Sequence, residues 1–153
     1  MHHYDYVVVG AGSAGSALAN RLSESGKFTV CLLEAGGSDK KFWVQMPLGY
    51  GKVFHDPSVN WRYMTEPEPN LDNQSIYWPR GKVLGGSSSI NAMVWVRGHK
   101  RDYDEWNSVA PGWGWNNVQK IFNRIENWDG TSNISRGTNG PQPVHDVSSD
   151  VHP

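Results

Sequence analysis

The chain has 153 residues, which is enough for one domain of ordinary size with its own apolar core. Its 14 Lys and Arg residues are balanced by 15 Asp and Glu residues, so it lacks the excess of positive charge that binds a nucleic-acid backbone. Cys31 is its only cysteine, which excludes an internal disulfide and a cysteine-based zinc site.

The first strand-like run begins at Tyr4, which leaves no room for a secretory signal. No apolar run approaches the roughly 18 residues that a membrane-spanning helix needs. We therefore expect a cytoplasmic protein without a transmembrane segment.

A strand, a glycine-rich turn, a helix and a second strand are predicted within residues 1–35. The β-branched run at residues 6–9 is typical of a strand buried on both faces of a parallel sheet, and residues 29–33 repeat the pattern. Between them, Ala17, Leu18 and Leu22 predict a helix that packs tightly on the sheet and ends near Gly26. This order predicts a Rossmann-like βαβ unit of the α/β class.

The turn has the pattern Gly10-x-Gly12-x-x-Gly15, and each glycine has a mechanical interpretation. Gly10 permits the sharp turn, Gly12 lets the backbone approach a pyrophosphate, and Gly15 lets helix and strand pack closely. Glu34, at the end of the second strand, is placed to accept hydrogen bonds from a ribose diol and would repel a 2′-phosphate. This pattern predicts a dinucleotide site and disfavours NADP, but it does not separate FAD from NAD.

Beyond Gly36 the periodicity fades, and five prolines between residues 47 and 79 indicate a long irregular excursion. A compact domain seldom contains such a stretch unless it is functional or packed against another part of the protein. Residues 101–107 predict a short helix. Asn116 is predicted to cap a second helix with one apolar face that extends to Trp128. A strand is expected to begin at residue 143. The predicted domain boundaries are 1–35 for the βαβ unit, 36–130 for the excursion, and 131–153 for the start of a second domain.

The segment from Arg80 to Met93, Arg-Gly-Lys-Val-Leu-Gly-Gly-Ser-Ser-Ser-Ile-Asn-Ala-Met, combines paired glycines, three hydroxyls and an amide. It offers backbone and side-chain donors on a low-profile surface, which suits a second contact to a long cofactor. A flexible linker is the alternative, but linkers do not continue into an apolar run such as the one that follows.

These two motifs, together with Glu34-Ala35-Gly36 and Asp102-Tyr103-Asp104-Glu105-Trp106, resemble the glucose-methanol-choline (GMC) oxidoreductase family, particularly its choline-dehydrogenase-like branch. The resemblance implies an FAD domain, incomplete here, interleaved with a substrate-binding domain that begins in this chain. It implies that the following residues bind FAD: Gly10, Gly12, Ser13, Ala14, Gly15, Glu34, Ala35, Gly36, Arg80, Val83, Gly85, Gly86, Ser88, Asn91, Ala92, Met93 and Val94. Some relatives attach FAD through a histidine just before the Asn, and Ile90 at that position implies non-covalent FAD here.

The implied reaction is oxidation of a small-molecule alcohol, in which a base takes the hydroxyl proton and hydride passes to the flavin. In the family the base lies near the carboxyl end of a longer chain, so we assign no catalytic residue here and expect a complementary carboxyl-terminal polypeptide. The alternatives are a non-catalytic FAD- or NAD-binding module and a structural protein. The six histidines lack metal-ligand spacing, so we predict no metal site. The sequence indicates neither the alcohol nor the electron acceptor.

Overall fold

The structure, a computed structural model, describes residues 2–130 and 135–146. The boundary between two compact units falls between Val94 and Trp95. The described residues form helices α1 (Ser13–Ser23), α2 (Phe42–Gln45), α3 (Tyr50–Val53), α4 (Lys100–Val109) and α5 (Trp115–Ile125). They also form strands β1 (Tyr6–Val9), β2 (Val30–Leu33), β3 (Tyr63–Met64), β4 (Tyr77–Trp78), β5 (Glu126–Trp128) and β6 (Gln142–Val144). Single 3-10 turns lie at Pro47–Gly49, Pro69–Leu71 and Gly86–Ser89.

The predicted βαβ unit is present at the amino end of the first unit. Strands β1 and β2 pair in parallel, with Tyr6 opposite Val30 and Val9 opposite Leu33, and α1 connects them. In this chain β1 is covered on one face only, because Val8 is buried whereas Val9 is 82% exposed; burial on both faces, which is typical of a strand in a complete parallel sheet, needs further protein. A sheet of two described strands leaves one face and both edges uncovered.

The excursion between residues 36 and 79 is not a loose loop. It contains α2, α3 and a short antiparallel hairpin in which Tyr63 lies opposite Trp78. Its residues Val53 and Val59 pack with Val83 and Ile90 in a buried core cluster. The second motif is therefore fixed against the excursion and is not a linker.

Asn60 joins these two segments through its buried amide. The Nδ2 group donates to the Phe54 carbonyl at 2.8 Å, and Oδ1 accepts from the backbone N–H groups of Arg62 at 2.9 Å and Arg80 at 3.0 Å. The backbone N–H of Trp61 also donates to the Arg80 carbonyl at 2.8 Å. Because buried amides are costly to leave unpaired, Asn60 holds residues 60–62 beside residues 80–81.

In the second unit the helix predicted over residues 101–107 is confirmed and extends from Lys100 to Val109. The predicted cap at Asn116 is wrong. Helix α5 begins at Trp115, whose N–H donates to the Asp104 carboxylate at 3.0 Å, and Gly114 is the residue before it.

Helix α5 also ends earlier than predicted, at Ile125, so Trp128 lies in strand β5 and not on the helix. The extended conformation of the next residue, Glu126, places its fully buried carboxylate in ion pairs with Arg97 and Arg136. Strand β5 pairs in parallel with β6, which includes the strand start predicted at residue 143. Residues 131–134 and 147–153 of the predicted second domain lie outside the described residues.

Candidate cofactor-binding site

Three sequence segments meet at the carboxyl end of β1 and β2. The backbone N–H of Gly85 donates to the Ala11 carbonyl at 2.8 Å, and the N–H of Leu84 donates to the Gly37 carbonyl at 2.9 Å. These contacts join the glycine turn, the segment after Glu34 and the second motif into one surface. Ligands of open parallel sheets bind at this end of the strands.

The three turn glycines have different structural roles. Gly10 has a φ of +95°, which L side chains rarely adopt. A Cβ on Gly15 would lie 1.9 Å from the Gly10 carbonyl oxygen, so only glycine lets α1 pack this closely on β1. A Cβ on Gly12 would meet nothing closer than the Gly86 Cα at 3.9 Å. The protein itself therefore does not require a glycine at position 12.

The amino terminus of α1 is suited to an anion. Gly12 supplies no side-chain cap, and the first turn, which contains Ser13, Ala14 and Gly15, holds no acidic residue. The first N–H groups of a helix have no intrahelical acceptor, and the helix dipole is positive at this end. A phosphate group is a suitable partner for them.

The Glu34 carboxylate is fixed by backbone donors on both of its oxygens. Oε2 accepts from the N–H of Ala11 and Oε1 from the N–H of Gly36, each at 2.8 Å. Each carboxylate oxygen accepts more than one hydrogen bond, so acceptor capacity remains for a ligand hydroxyl. Glu34 thus ties the glycine turn to the end of β2 and keeps an acceptor at the edge of the site.

A cavity of ≈ 640 Å³ lies over this surface. Its lining includes six of the residues assigned to FAD from sequence: Gly10, Gly12, Glu34, Ala35, Arg80 and Gly86. It also includes Val9, Leu33, Trp61, Tyr63, Gly81 and Ser87, which were not assigned. Arg62 between the two rings has a φ of +56°, so this segment is not regularly extended, and no local pattern in the sequence pointed to Trp61 and Tyr63.

A smaller cavity of ≈ 140 Å³ contains three further assigned residues, Ser88, Asn91 and Met93. Trp43 and Tyr50 from the excursion line its other side. Met93 has a φ of +58°, and its N–H donates to the Asn91 Oδ1 at 2.8 Å. The Asn91 side chain therefore supports an unusual backbone conformation at Met93.

The other assigned residues do not line these cavities. Gly85 makes the backbone contact to the glycine turn, and Ala92 and Val94 are exposed. The Val83 side chain is fully buried in the core, so a contact between Val83 and a ligand would involve its backbone. The role of each assigned residue toward a cofactor stays a prediction.

Three histidines, His55, His99 and His145, make contacts away from these two cavities. The His55 ring stacks on Tyr77, His99 Nδ1 accepts from the Arg101 N–H, and His145 contacts the Asp129 carboxylate. The hydrogen bond from His145 is the main reason why the pKa of Asp129 lies below its usual value. Residues 2–130 and 135–146 contain no cluster of three side chains that would hold a metal ion, and none of their helices is long and apolar enough to cross a membrane.

The family model for GMC oxidoreductases matches residues 4–151. The chain belongs to the GMC oxidoreductase family. An oxygen-dependent choline dehydrogenase from Vibrio vulnificus (strain YJ016) is 51% identical over 140 residues, which cover 91% of this chain and 25% of that protein. An uncharacterized GMC-type oxidoreductase from Mycobacterium tuberculosis (strain CDC 1551 / Oshkosh) is 51% identical over 142 residues, or 90% of this chain and 27% of that protein. The chain spans about a quarter of the length of these curated relatives.

Solved structures of GMC flavoenzymes share the fold. Pyridoxine 4-oxidase from Mesorbium loti aligns with a TM-score of 0.87 at 35% identity, covering 99% of this chain and 30% of that one. A structure of formate oxidase from Aspergillus oryzae RIB40, determined to study FAD modification, aligns with a TM-score of 0.80 at 28% identity, covering 94% of this chain and 26% of that one. FAD is the cofactor characteristic of this family.

The residues present fit this cofactor. The open space beside Gly12 accommodates a group that approaches the backbone, and the uncapped helix terminus suits a pyrophosphate. The fixed Glu34 carboxylate suits a ribose diol. A cavity of this size is within the usual range for cofactor sites.

Proposed function

We propose that this chain forms the FAD-binding part of an enzyme that oxidises a small-molecule alcohol to an aldehyde or ketone. The observation that supports this most strongly is the single cavity lined by Gly12, Glu34 and Arg80, residues from three separate motifs. FAD, when bound, supplies a hydride acceptor for alcohol oxidation.

In this proposal, two groups of residues contact the two ends of the FAD molecule. Gly12 and the start of α1 bind the pyrophosphate, and Glu34 accepts from the adenosine ribose. The segment after Ser88 borders the flavin ring through Asn91, Ala92, Met93 and Val94. Ile90 is a buried aliphatic residue without a nucleophilic atom, so no covalent bond to FAD forms at this position, which supports non-covalent binding.

The catalytic base belongs to protein outside this chain. Neither described cavity is lined by a histidine, and His55, His99 and His145 have partners of their own. The exposed apolar side chains of β1 and β2, such as Val7 and Val9, need covering, which a carboxyl-terminal polypeptide would supply.

The visible absorption spectrum of the purified protein, before and after FAD addition and desalting, tests the binding part of this proposal. Flavin bands that survive desalting support it, and a folded protein that retains no flavin contradicts it. Steady-state oxidation of choline and other alcohols with a dye acceptor then separates an enzyme from a non-catalytic binding module. Turnover by residues 1–153 alone would contradict the assignment of the base to other sequence.

A further inference from the structure

The second unit contains a cavity of ≈ 440 Å³, and none of the residues that line it is assigned to FAD. The lining combines two indole rings, one aliphatic side chain, one serine and two guanidinium groups, which belong to Trp95, Trp115, Val96, Ser135, Arg97 and Arg136. Neither the binding of FAD nor the pairing of β5 with β6 explains this combination.

The two arginines of this cavity share one carboxylate. Glu126 is fully buried and accepts from Arg97 Nη2 and, at 2.5 Å, from Arg136 Nη1. In the described part of the chain no other carboxylate pairs with either guanidinium group. Burial is the main reason why the pKa of Arg97 lies below its usual value, and repulsion by Arg136 lowers it further. One positive charge of the pair is therefore not neutralised, and a second anion in the cavity would reduce the repulsion.

Two buried nitrogens of the lining residues have no hydrogen-bond partner among residues 2–130 and 135–146. They are Trp95 Nε1 and Arg97 Nε. The other Arg97 nitrogens are used, because Nη1 donates to the Ser135 carbonyl at 2.6 Å and Nη2 donates to Asn123 Oδ1 at 2.9 Å. The Arg136 side chain is 26% exposed, so part of it can be reached by a ligand. Buried donors are nearly always paired in folded proteins, so these residues lack an acceptor.

We propose that this cavity binds a carboxylate group, held by the guanidinium group of Arg136 and the indole N–H of Trp95. This inference goes beyond the proposed FAD site. An excess of one positive charge matches a monoanion, and a guanidinium group donates a planar pair of hydrogen bonds to the two oxygens of a carboxylate. Because Trp95 Nε1 is buried, its donation to the ligand requires a rotation of this side chain. Trp115 and Val96 offer apolar surface to the carbon atoms attached to the carboxylate.

The carboxylate has two possible sources with the same chemistry. The chain spans about a quarter of the length of its curated relatives, so one source is an Asp or Glu side chain from the remainder of the full-length protein. The other source is a free small organic acid. A binding measurement and a crystal structure together separate the two.

Acetate is the probe for a free carboxylate. Its binding to the full-length protein is measured by isothermal titration calorimetry, with chloride at the same ionic strength as the control for non-specific anion binding. Trp95→Phe removes the indole N–H but keeps an aromatic ring, and it should raise the dissociation constant for acetate about 10-fold or more. Arg136→Lys keeps the charge beside Glu126 but loses the planar pair of donors, and it should also weaken acetate binding. Trp113→Phe is the matched control, because Trp113 belongs to the second unit but does not line the cavity. Protein stripped of its flavin should bind acetate as the flavin-loaded protein does.

A crystal structure of the full-length protein, grown without carboxylate buffers, tests the other source. If acetate does not bind, this structure should show an Asp or Glu carboxylate of the protein hydrogen-bonded to Arg136. Acetate that binds equally to the unmodified protein, Trp95→Phe and Arg136→Lys lies elsewhere and counts as no binding, as does acetate that FAD displaces. The inference is overturned if acetate does not bind in this cavity and no carboxylate of the protein lies within hydrogen-bond distance of Arg136.

Discussion

The two glycines at positions 12 and 15 should respond to the same substitution in opposite ways. A methyl group at Gly15 would lie 1.9 Å from the Gly10 carbonyl oxygen, and this obstacle is backbone that cannot rotate away. Overpacking costs about 1–3 kcal/mol when side chains can adjust, so Gly15→Ala should lower the free energy of unfolding by about 3 kcal/mol or more. A methyl group at Gly12 meets no protein atom closer than 3.9 Å, and its φ of −76° suits any residue. Gly12→Ala should therefore change the free energy of unfolding by less than about 1 kcal/mol.

Binding should show the reverse pattern. The Gly12 methyl group would occupy the space through which the FAD pyrophosphate approaches the start of α1. Displacing the phosphate weakens a charge-assisted hydrogen bond, worth about 1.5–3 kcal/mol, so the dissociation constant for FAD should rise by about 10-fold or more. Chemical denaturation of the stripped protein and fluorescence titration with FAD measure the two quantities.

A matched control is Gly51→Ala in α3, where a Cβ meets nothing within 4 Å and φ is ordinary. It should leave FAD binding unchanged and the stability equal or slightly higher. The reasoning would be refuted if Gly12→Ala bound FAD as tightly as the unmodified protein. It would also be refuted if Gly12→Ala unfolded as easily as Gly15→Ala, since both glycines would then be packing residues.

Three further substitutions test other contacts of the first unit. Glu34→Gln replaces one carboxylate oxygen by an NH₂ group that faces the N–H of Ala11 or Gly36. Chemical denaturation should therefore show a free energy of unfolding lower by about 1.5–3 kcal/mol, together with weaker FAD binding. A variant with normal stability would contradict the assigned hydrogen bonds. Asn60→Ala leaves the backbone N–H groups of Arg62 and Arg80 without this partner, whereas the Phe54 carbonyl still accepts from the Tyr77 hydroxyl; the substitution should cost about 2 kcal/mol or more in the same assay, and a cost under about 1 kcal/mol would show that Asn60 is not a structural link. Asp5 accepts from the N–H and hydroxyl of Thr29, and these hydrogen bonds hold the pKa of Asp5 below its usual value. A lowered pKa stabilises the fold above the unfolded-state pKa of about 3.9 and stops doing so as the pH falls through the folded-state pKa; Asp5→Ala should thus unfold at a lower temperature at pH 7, and the difference should shrink below about pH 4, whereas a difference independent of pH would contradict this role.

The sequence predicted the βαβ unit well because its signals are local. A buried strand pattern, a glycine turn and an acid at the end of the next strand all lie within one short stretch, and the paired strands and α1 follow them closely. The contact between Gly85 and Ala11 was not predictable in the same way, because it joins residues far apart in the chain. The composition of residues 80–93 predicted a cofactor segment, which stays a prediction, but the position of this segment against the glycine turn needed the folded chain.

The two wrong predictions for α5, its cap at Asn116 and its extension to Trp128, also result from long-range contacts. Asn116 is a good capping residue by type, but the Asp104 carboxylate accepts from the N–H of Trp115, and the cap position of α5 is Gly114, two residues earlier than predicted. The apolar face predicted through Trp128 was interrupted because Glu126 turns inward to pair with Arg97. Burial of that carboxylate is unfavourable without partners, and no local pattern in α5 identifies an arginine about 30 residues away as its partner.

The position of Trp61 shows why cofactor sites of this kind are underpredicted from sequence. Its neighbours in the chain include Pro57 and Pro67 and show no periodicity, which are signs of irregular structure. The ring is nevertheless held by a buried amide at Asn60, a backbone hydrogen bond to Arg80 and a cation at Lys82. Irregular backbone can be rigid when side chains satisfy its hydrogen bonds, and a rigid exposed aromatic residue is well suited to bind a flat ligand. In this chain the glycine motifs could be found from local signals, whereas the excursion between them lines the same cavity with Trp61 and Tyr63, which no local signal indicated.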